Sequence, residues 1–133
     1  MILDHIGIAV KNIENAKKMY TSILHSSAYH EEYLESQKVK VAFFKTGANS
    51  KIELLEGIDV DSLIYKFVEK KGEGIHHMAF LVKDIYAEIE RMKNEGFETL
   101  QDKPKLGAAN KLVFFFHPKS TGGSLIELCQ KQD

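Results

Sequence analysis

Along this chain the apolar positions switch between a period of two and a period near 3.6, and the switches come in the same order twice. Ile6, Ile8 and Val10 alternate with His5, Gly7 and Ala9, which predicts a short strand carrying two small residues beside a histidine on one face. Asn12 offers a side-chain oxygen to a helix N-terminus, and Ile13, Ala16, Tyr20, Ile23 and Leu24 follow at helical spacing, with Lys17 and Lys18 toward water. Tyr29 to Glu35 reads as a polar extended stretch. Residues 39–44 predict a strand, residues 47–50 a turn and residues 51–55 another strand, so the first half reads β-α-β-β-β.

Residues 59–72 join the halves, with Asp61 or Ser62 capping a helix that carries Leu63, Ile64, Phe67 and Val68 on one face and stops at Gly72 and Gly74. The pattern then restarts. A strand is predicted at 77–82, Asp84 caps a helix with Ile85, Ile89 and Met92 inward, and Gly96 closes it. An extended segment at 97–101, a loop containing Pro104 and Gly107, a strong strand at 112–116, a turn at 117–123 and a last strand at 125–129 complete the chain. The prediction is one α+β domain: a first module at about 1–57, a connecting helix at about 58–74 and a second module at about 75–133.

The restart is a repeat in detail. A shift of 72 residues (77 − 5) lays His5 on His77, Val10 on Val82, Lys11 on Lys83, Asn12 on Asp84 and Ile13 on Ile85. A shift of 74 (127 − 53) lays Ile52-Glu53-Leu54 on Ile126-Glu127-Leu128, so the second turn is longer by two residues. Such duplication predicts one supersecondary unit used twice, with the site where the copies face each other.

Composition narrows the picture without changing it. At 133 residues, 44% hydrophobic and 28% charged, the chain can bury a core without a disulfide or structural metal. A net charge of −1 gives no electrostatic case for nucleic acid. The single Cys129 allows no intramolecular disulfide and fits a reducing compartment. The opening Met-Ile-Leu-Asp-His is not a signal peptide, no apolar stretch is long enough for a membrane helix, and the cytoplasm is the expected location.

The chemistry rests on what each module carries at equivalent places: a histidine opening its first strand and a glutamate inside its last. A glutamate among aliphatics is ordinarily the wet face of a half-exposed strand, and a histidine opening a strand is ordinarily an edge residue. Recurrence of both, in order, favours another reading. A buried carboxylate needs a partner or a cation. Two imidazoles and two carboxylates make a nitrogen and oxygen set suited to a divalent first-row ion with positions left for water or substrate. His5, Glu53, His77 and Glu127 are therefore the candidate metal ligands. Strand alternation turns His76 away from His77, and places Cys129 on the face of Glu127 without an activating partner. His25 and His30 read as surface residues, and the turn at 117–123 as a turn that also has the makings of an anion cradle.

The stretches Asp4-His5-Ile6-Gly7-Ile8-Ala9-Val10, Lys51-Ile52-Glu53-Leu54-Leu55-Glu56, Gly74-Ile75-His76-His77-Met78-Ala79-Phe80 and His117-Pro118-Lys119-Ser120-Thr121-Gly122-Gly123-Ser124-Leu125-Ile126-Glu127-Leu128-Cys129 together resemble the methylmalonyl-CoA epimerases of the vicinal oxygen chelate, or glyoxalase, superfamily. The resemblance spans nearly the whole chain. It implies two βαβββ modules forming a curled mixed sheet around a metal, with ligands at His5, Glu53, His77 and Glu127 and a divalent ion such as Co, Mn, Ni, Zn or Mg. It also implies a homodimer, an acyl-CoA substrate, no nucleic acid or membrane partner, and Glu127 as an acid/base that interconverts the C2 configurations of methylmalonyl-CoA. The second acid/base is a glutamate in at least one relative, at a position that falls on Val41 here, leaving Glu32, Glu35, Gln37 through a water, or His76 as substitutes. Further departures are His25 where a glycine usually follows the first helix, Leu81 where an acidic residue is common, and Gly107-Ala108-Ala109-Asn110 in place of Gly-Ala-x-Gly. Two other activities remain on such a scaffold: glyoxalase I-type lactoylglutathione lyase, and sequestration of a drug without catalysis.

Overall fold

The computed structural model describes residues 1–133 and realises the predicted repeat. Strand β1 is Ile2–Ala9, helix α1 Ile13–Leu24, and β2, β3 and β4 are His30–Leu34, Val39–Lys45 and Lys51–Gly57. Helix α2, Leu63–Lys71, precedes β5, Gly74–Leu81, and α3, Ile85–Asn94. Strands β6, β7 and β8 are Lys105–Leu106, Lys111–Phe116 and Ile126–Lys131. None of the helices is long and apolar enough to cross a membrane.

The chain divides into two compact units, one of His5–His76 and the other of His77–Asp133 together with Met1–Asp4. In the first, the strands run in the order β2-β3-β4-β1, with β1 parallel to β4 and the other neighbours antiparallel. Helix α1 covers one face of this sheet. Its Ile13 and Ala16 pack with Val10, Ala42, Phe44 and Leu54. These are the residues that alternation turned away from His5, so the period of two in β1 and the helical period in α1 meet in one core.

The second unit repeats this arrangement as β5-β8-β7-β6, with β5 parallel to β8. Helix α3 lays Ile85, Ile89 and Met92 against Val82, Phe114, Phe116 and Leu128. Burial of each such aromatic or aliphatic side chain stabilises by roughly 1.5–3 kcal/mol, so these cores hold the sheets that carry the polar residues on their other faces.

The two units match below the level of sequence resemblance. Asn12 Oδ1 accepts from Asn15 N at 2.9 Å, and Asp84 Oδ1 from Ala87 N at 3.1 Å, so both helices are capped as predicted. The Val10 amide donates to the Leu55 carbonyl, and the Val82 amide to that of Cys129, both at 2.9 Å. Each helix also has its first amide held by a side chain from the last strand: Ile13 N donates to Glu56 Oε1 at 2.8 Å and Ile85 N to Gln130 Oε1 at 2.7 Å.

Three local expectations are corrected. Residues 97–101 make only an isolated bridge, Thr99 to Phe116, and the edge strand is β6. Gln101 explains this: its side chain reaches the Phe115 amide and the Val113 carbonyl, so side-chain bonds take the place of a ladder. Leu63 is not on the inward face of α2 but exposed at its first turn, while Ile64 and Val68 are buried. Ile23, included in the apolar stripe of α1, is also exposed.

Candidate active site

Within the first unit, the parallel register sets Gly7 beside Glu53 and the antiparallel register sets Phe43 on its other side. Paired residues share a face, so Glu53 projects from the side that α1 does not cover. His5, two residues before Gly7, projects from the same side, and its Nδ1 lies 3.1 Å from Glu53 Oε2. Both side chains are buried.

The second unit builds the same object. Ala79 and Phe115 flank Glu127, as Gly7 and Phe43 flank Glu53. His77 Nε2 lies 3.2 Å from Glu127 Oε1, again with both residues buried. The His77 ring stands edge-on to Phe115, with centroids 5.8 Å apart and planes at 88°, which fixes its orientation. Cys129 is fully buried on this face and packs with Ala79 and Val113, as a small apolar residue would.

The four predicted ligands thus occur as two buried imidazole–carboxylate pairs, one in each unit. The strand reading of each glutamate as a wet-face residue is excluded by burial. Each carboxylate instead has the partner that burial requires. Each pair offers one nitrogen and one oxygen donor, a set that suits borderline and hard divalent ions.

His76 is different. Its ring packs edge-on against Phe67 of α2, at 4.9 Å and 86°, as expected for a side chain turned from His77. Burial, helped by the nearby Lys71 charge, lowers its pKa from 6.5 to about 4, so it is a neutral packing group at physiological pH. Of the other acids weighed for proton transfer, Glu32 lies on β2 with its carboxylate 2.9 Å from His30 Nε2. Glu35 and Gln37 lie in the short helical turn after β2.

Sequence reading missed one buried ionic contact: Lys111 Nζ to Asp4 Oδ2, at 2.8 Å. The partners are 107 residues apart, and no local pattern links them. A lysine among the aliphatics opening a strand was the available signal.

Two units of this strand order, each presenting a paired histidine and glutamate, define a known class. The family model for the glyoxalase, bleomycin resistance protein and dioxygenase superfamily matches residues 4–115, and the chain belongs to that superfamily. It is 41% identical over 96% of its length to YqjC, an uncharacterized protein of Bacillus subtilis, covering 91% of that protein. It is 39% identical to the ethylmalonyl-CoA/methylmalonyl-CoA epimerase of Cereibacter sphaeroides, over 96% of each chain. The Streptomyces coelicolor methylmalonyl-CoA epimerase, solved in complex with 2-nitronate-propionyl-CoA, superposes with a TM-score of 0.93 at 33% identity, over 100% of this chain and 99% of that one. Within the superfamily, these last two relatives are methylmalonyl-CoA epimerases, which are isomerases. The resemblance carried by the sequence motifs is borne out.

Proposed function

We propose that this protein interconverts the C2 configurations of methylmalonyl-CoA by a 1,1-proton transfer, with Glu127 as an acid/base. The observation that carries this reading is the buried histidine–glutamate pair found at the same register position in each unit. The relatives named as epimerases support it over other activities of the superfamily.

The substrate dictates what the residues must do. The C2 proton lies between a thioester and a carboxylate, and its removal moves the C–H electron pair into an enolate. His5, Glu53, His77 and Glu127 would hold a divalent cation. When bound, that cation supplies Lewis-acid stabilisation of the enolate oxygen. Glu127 accepts the proton on one face and returns it by the reverse path. Its buried surroundings limit competing bonds to water, and His77 keeps the carboxylate oriented. Phe43 and Phe115, next to the two glutamates in register, supply apolar surface for the short acyl group.

The test begins with metal analysis of the purified protein and reloading with Co, Mn, Ni, Zn or Mg ions. Each C2 epimer of methylmalonyl-CoA is then incubated in deuterated water, with ethylmalonyl-CoA and a glutathione hemithioacetal in parallel. Deuterium entry at C2 with loss of configuration supports the proposal. Turnover of the hemithioacetal alone would move the assignment to a lactoylglutathione lyase. Loaded protein that exchanges none of them, yet binds a drug, would make it a sequestering protein. The homodimer implied by the family resemblance is checked by sedimentation velocity.

A further inference from the structure

Inverting C2 requires a proton to arrive on the face opposite to the one it left, so a second group must supply it. We propose that Glu32, positioned by His30, is that second acid/base; the inference rests on the epimerase reading above.

The register of β2 provides the argument. His30 pairs with Phe43, Glu32 with Val41 and Leu34 with Val39, while Phe43 and Val41 pair in turn with Glu53 and Leu55 of β4. His30 and Glu32 therefore project from the same face of the first sheet as Glu53 and His5. The intervening Glu31 points the other way, where its carboxylate meets Lys17 of α1 at 2.9 Å. Neighbouring glutamates thus have opposite assignments. Glu31 ties an edge strand to the covering helix, and Glu32 stands on the face of the proposed metal ligands.

Along the sheet its neighbours are apolar. Glu32 borders an apolar strip formed by Val41, Leu55 and Ala9, all buried, with no carboxylate or imidazole in that row. Strands lie about 4.8 Å apart, so His30 and Glu53 are two spacings, roughly 10 Å, from each other at the backbone. Only Phe43 separates them in the row. Phe43 also packs on the His30 ring, with centroids 5.2 Å apart. The other charged groups on this face are Lys45, whose Nζ lies 5.3 Å from the centre of the Tyr29 ring, and the half-buried Lys51. His30 Nε2 is 2.9 Å from Glu32 Oε2, and their side chains are 50% and 26% exposed. The pair is wet enough to exchange protons with solvent and sheltered enough to hold one orientation.

The step balances without a further reactant. Glu127 takes the C2 proton, and the C–H electron pair enters the enolate. The Glu32 carboxylic acid then donates its proton to the other face of C2, the enolate pair forms the new C–H bond, and Glu32 is left as carboxylate. Water resets both carboxyl groups, with His30 carrying the proton for Glu32. The reverse epimerisation uses the same groups in the opposite order.

Two readouts on the metal-loaded enzyme test this, with each pure epimer in deuterated water: inversion, and deuterium entry without inversion. Glu32→Gln is expected to lose inversion by about 100-fold or more, while C2 of the one epimer served by Glu127 still exchanges. His30→Gln should lower the inversion rate with little change in KM. Glu31→Gln, on the helix side of the strand, should leave both readouts at the wild-type level and controls for damage to β2. Inversion by Glu32→Gln at the wild-type rate would overturn the assignment, as would equal loss of exchange from both epimers. Wild-type enzyme that exchanges neither epimer would refute the epimerase function itself, and the role of Glu32 with it.

Discussion

The ion pair between Asp4 and Lys111 gives a stability prediction independent of any activity. Its atoms are 2.8 Å apart and its side chains are 3% and 8% exposed. At an effective dielectric of about 20, charges some 3–4 Å apart attract by roughly 4–6 kcal/mol. Removing two charges from water costs several kcal/mol each, so the intact pair is close to neutral against an apolar replacement. The asymmetry appears when one partner is deleted and the other charge stays buried. Asp4→Val or Lys111→Met alone should therefore destabilise by about 3–5 kcal/mol. For a domain of this size that lowers the melting temperature by roughly 10–15 °C. The double variant Asp4→Val with Lys111→Met should come back to within about 1 kcal/mol of wild type, a coupling of at least ~5 kcal/mol. Urea denaturation followed by circular dichroism measures all four states of the cycle. Single variants costing less than about 1 kcal/mol, or a double variant equal to the sum of the singles, would refute the claim that the pair is dry and mutually dependent.

Other expectations concern the site and its surroundings. Glu127→Gln should lower turnover more than ~100-fold, because it removes the base and weakens a proposed ligand; a stopped assay on either epimer with reloaded enzyme decides, and near-normal activity would sink the mechanism. His76→Ala should leave metal content unchanged by atomic emission, since the ring packs on Phe67 and not toward the His77 face. His76 also sets an acid limit. Its folded pKa of about 4 lies below the ordinary histidine value of 6.5, so its contribution is complete above pH 6.5 and is lost as pH falls toward 4. His76→Gln should therefore flatten the stability profile by about 2 kcal/mol between pH 7 and 5, read from urea midpoints at each pH. His25 ends α1 at φ 57 and ψ 34, a left-handed conformation that costs a side chain roughly 1 kcal/mol. His25→Gly should raise the melting temperature by about 2–4 °C in calorimetry.

The sequence was legible where local period and repetition agreed. β1, α1, α3 and β7 each carry an unbroken pattern, and the repeat related the two histidines and two glutamates before any coordinates. The pairing within each unit follows from strand alternation once β1 is known to run beside β4, and β5 beside β8. Less legible were contacts that depend on tertiary partners. Nothing in the spacing of Glu56 or Gln130 announces that their side chains hold the first amides of α1 and α3. The extended look of residues 97–101 came from β-compatible residues, but beyond the Thr99 bridge the Gln101 side chain occupies the Phe115 amide and the Val113 carbonyl of β7. Two departures from the family pattern acquire a physical explanation. His25 and Asn110 occupy positive φ, 57° and 55°, where the glycine of relatives sits without strain. Val41 is explained differently: its register partner on β2 is Glu32, so a carboxylate remains on the same face one strand away.

The duplicated register also has a consequence for how the chain reaches its native state. β1 and β5 open with similar residues, each takes a parallel partner, and those partners, β4 and β8, share an Ile-Glu-Leu core. During folding, β1 can meet the partner meant for β5, and the reverse, with most apolar contacts still satisfied. Chains built from similar repeats are prone to such misassembly and to strand exchange between molecules. What discriminates against it lies in the paired residues themselves: Ile6, Gly7, Ile8 and Ala9 of β1 stand where β5 has Met78, Ala79, Phe80 and Leu81, and the second turn has two additional residues. Refolding at high protein concentration should therefore show a slow phase that shrinks on dilution, because swapped chains must separate before each strand regains its own partner.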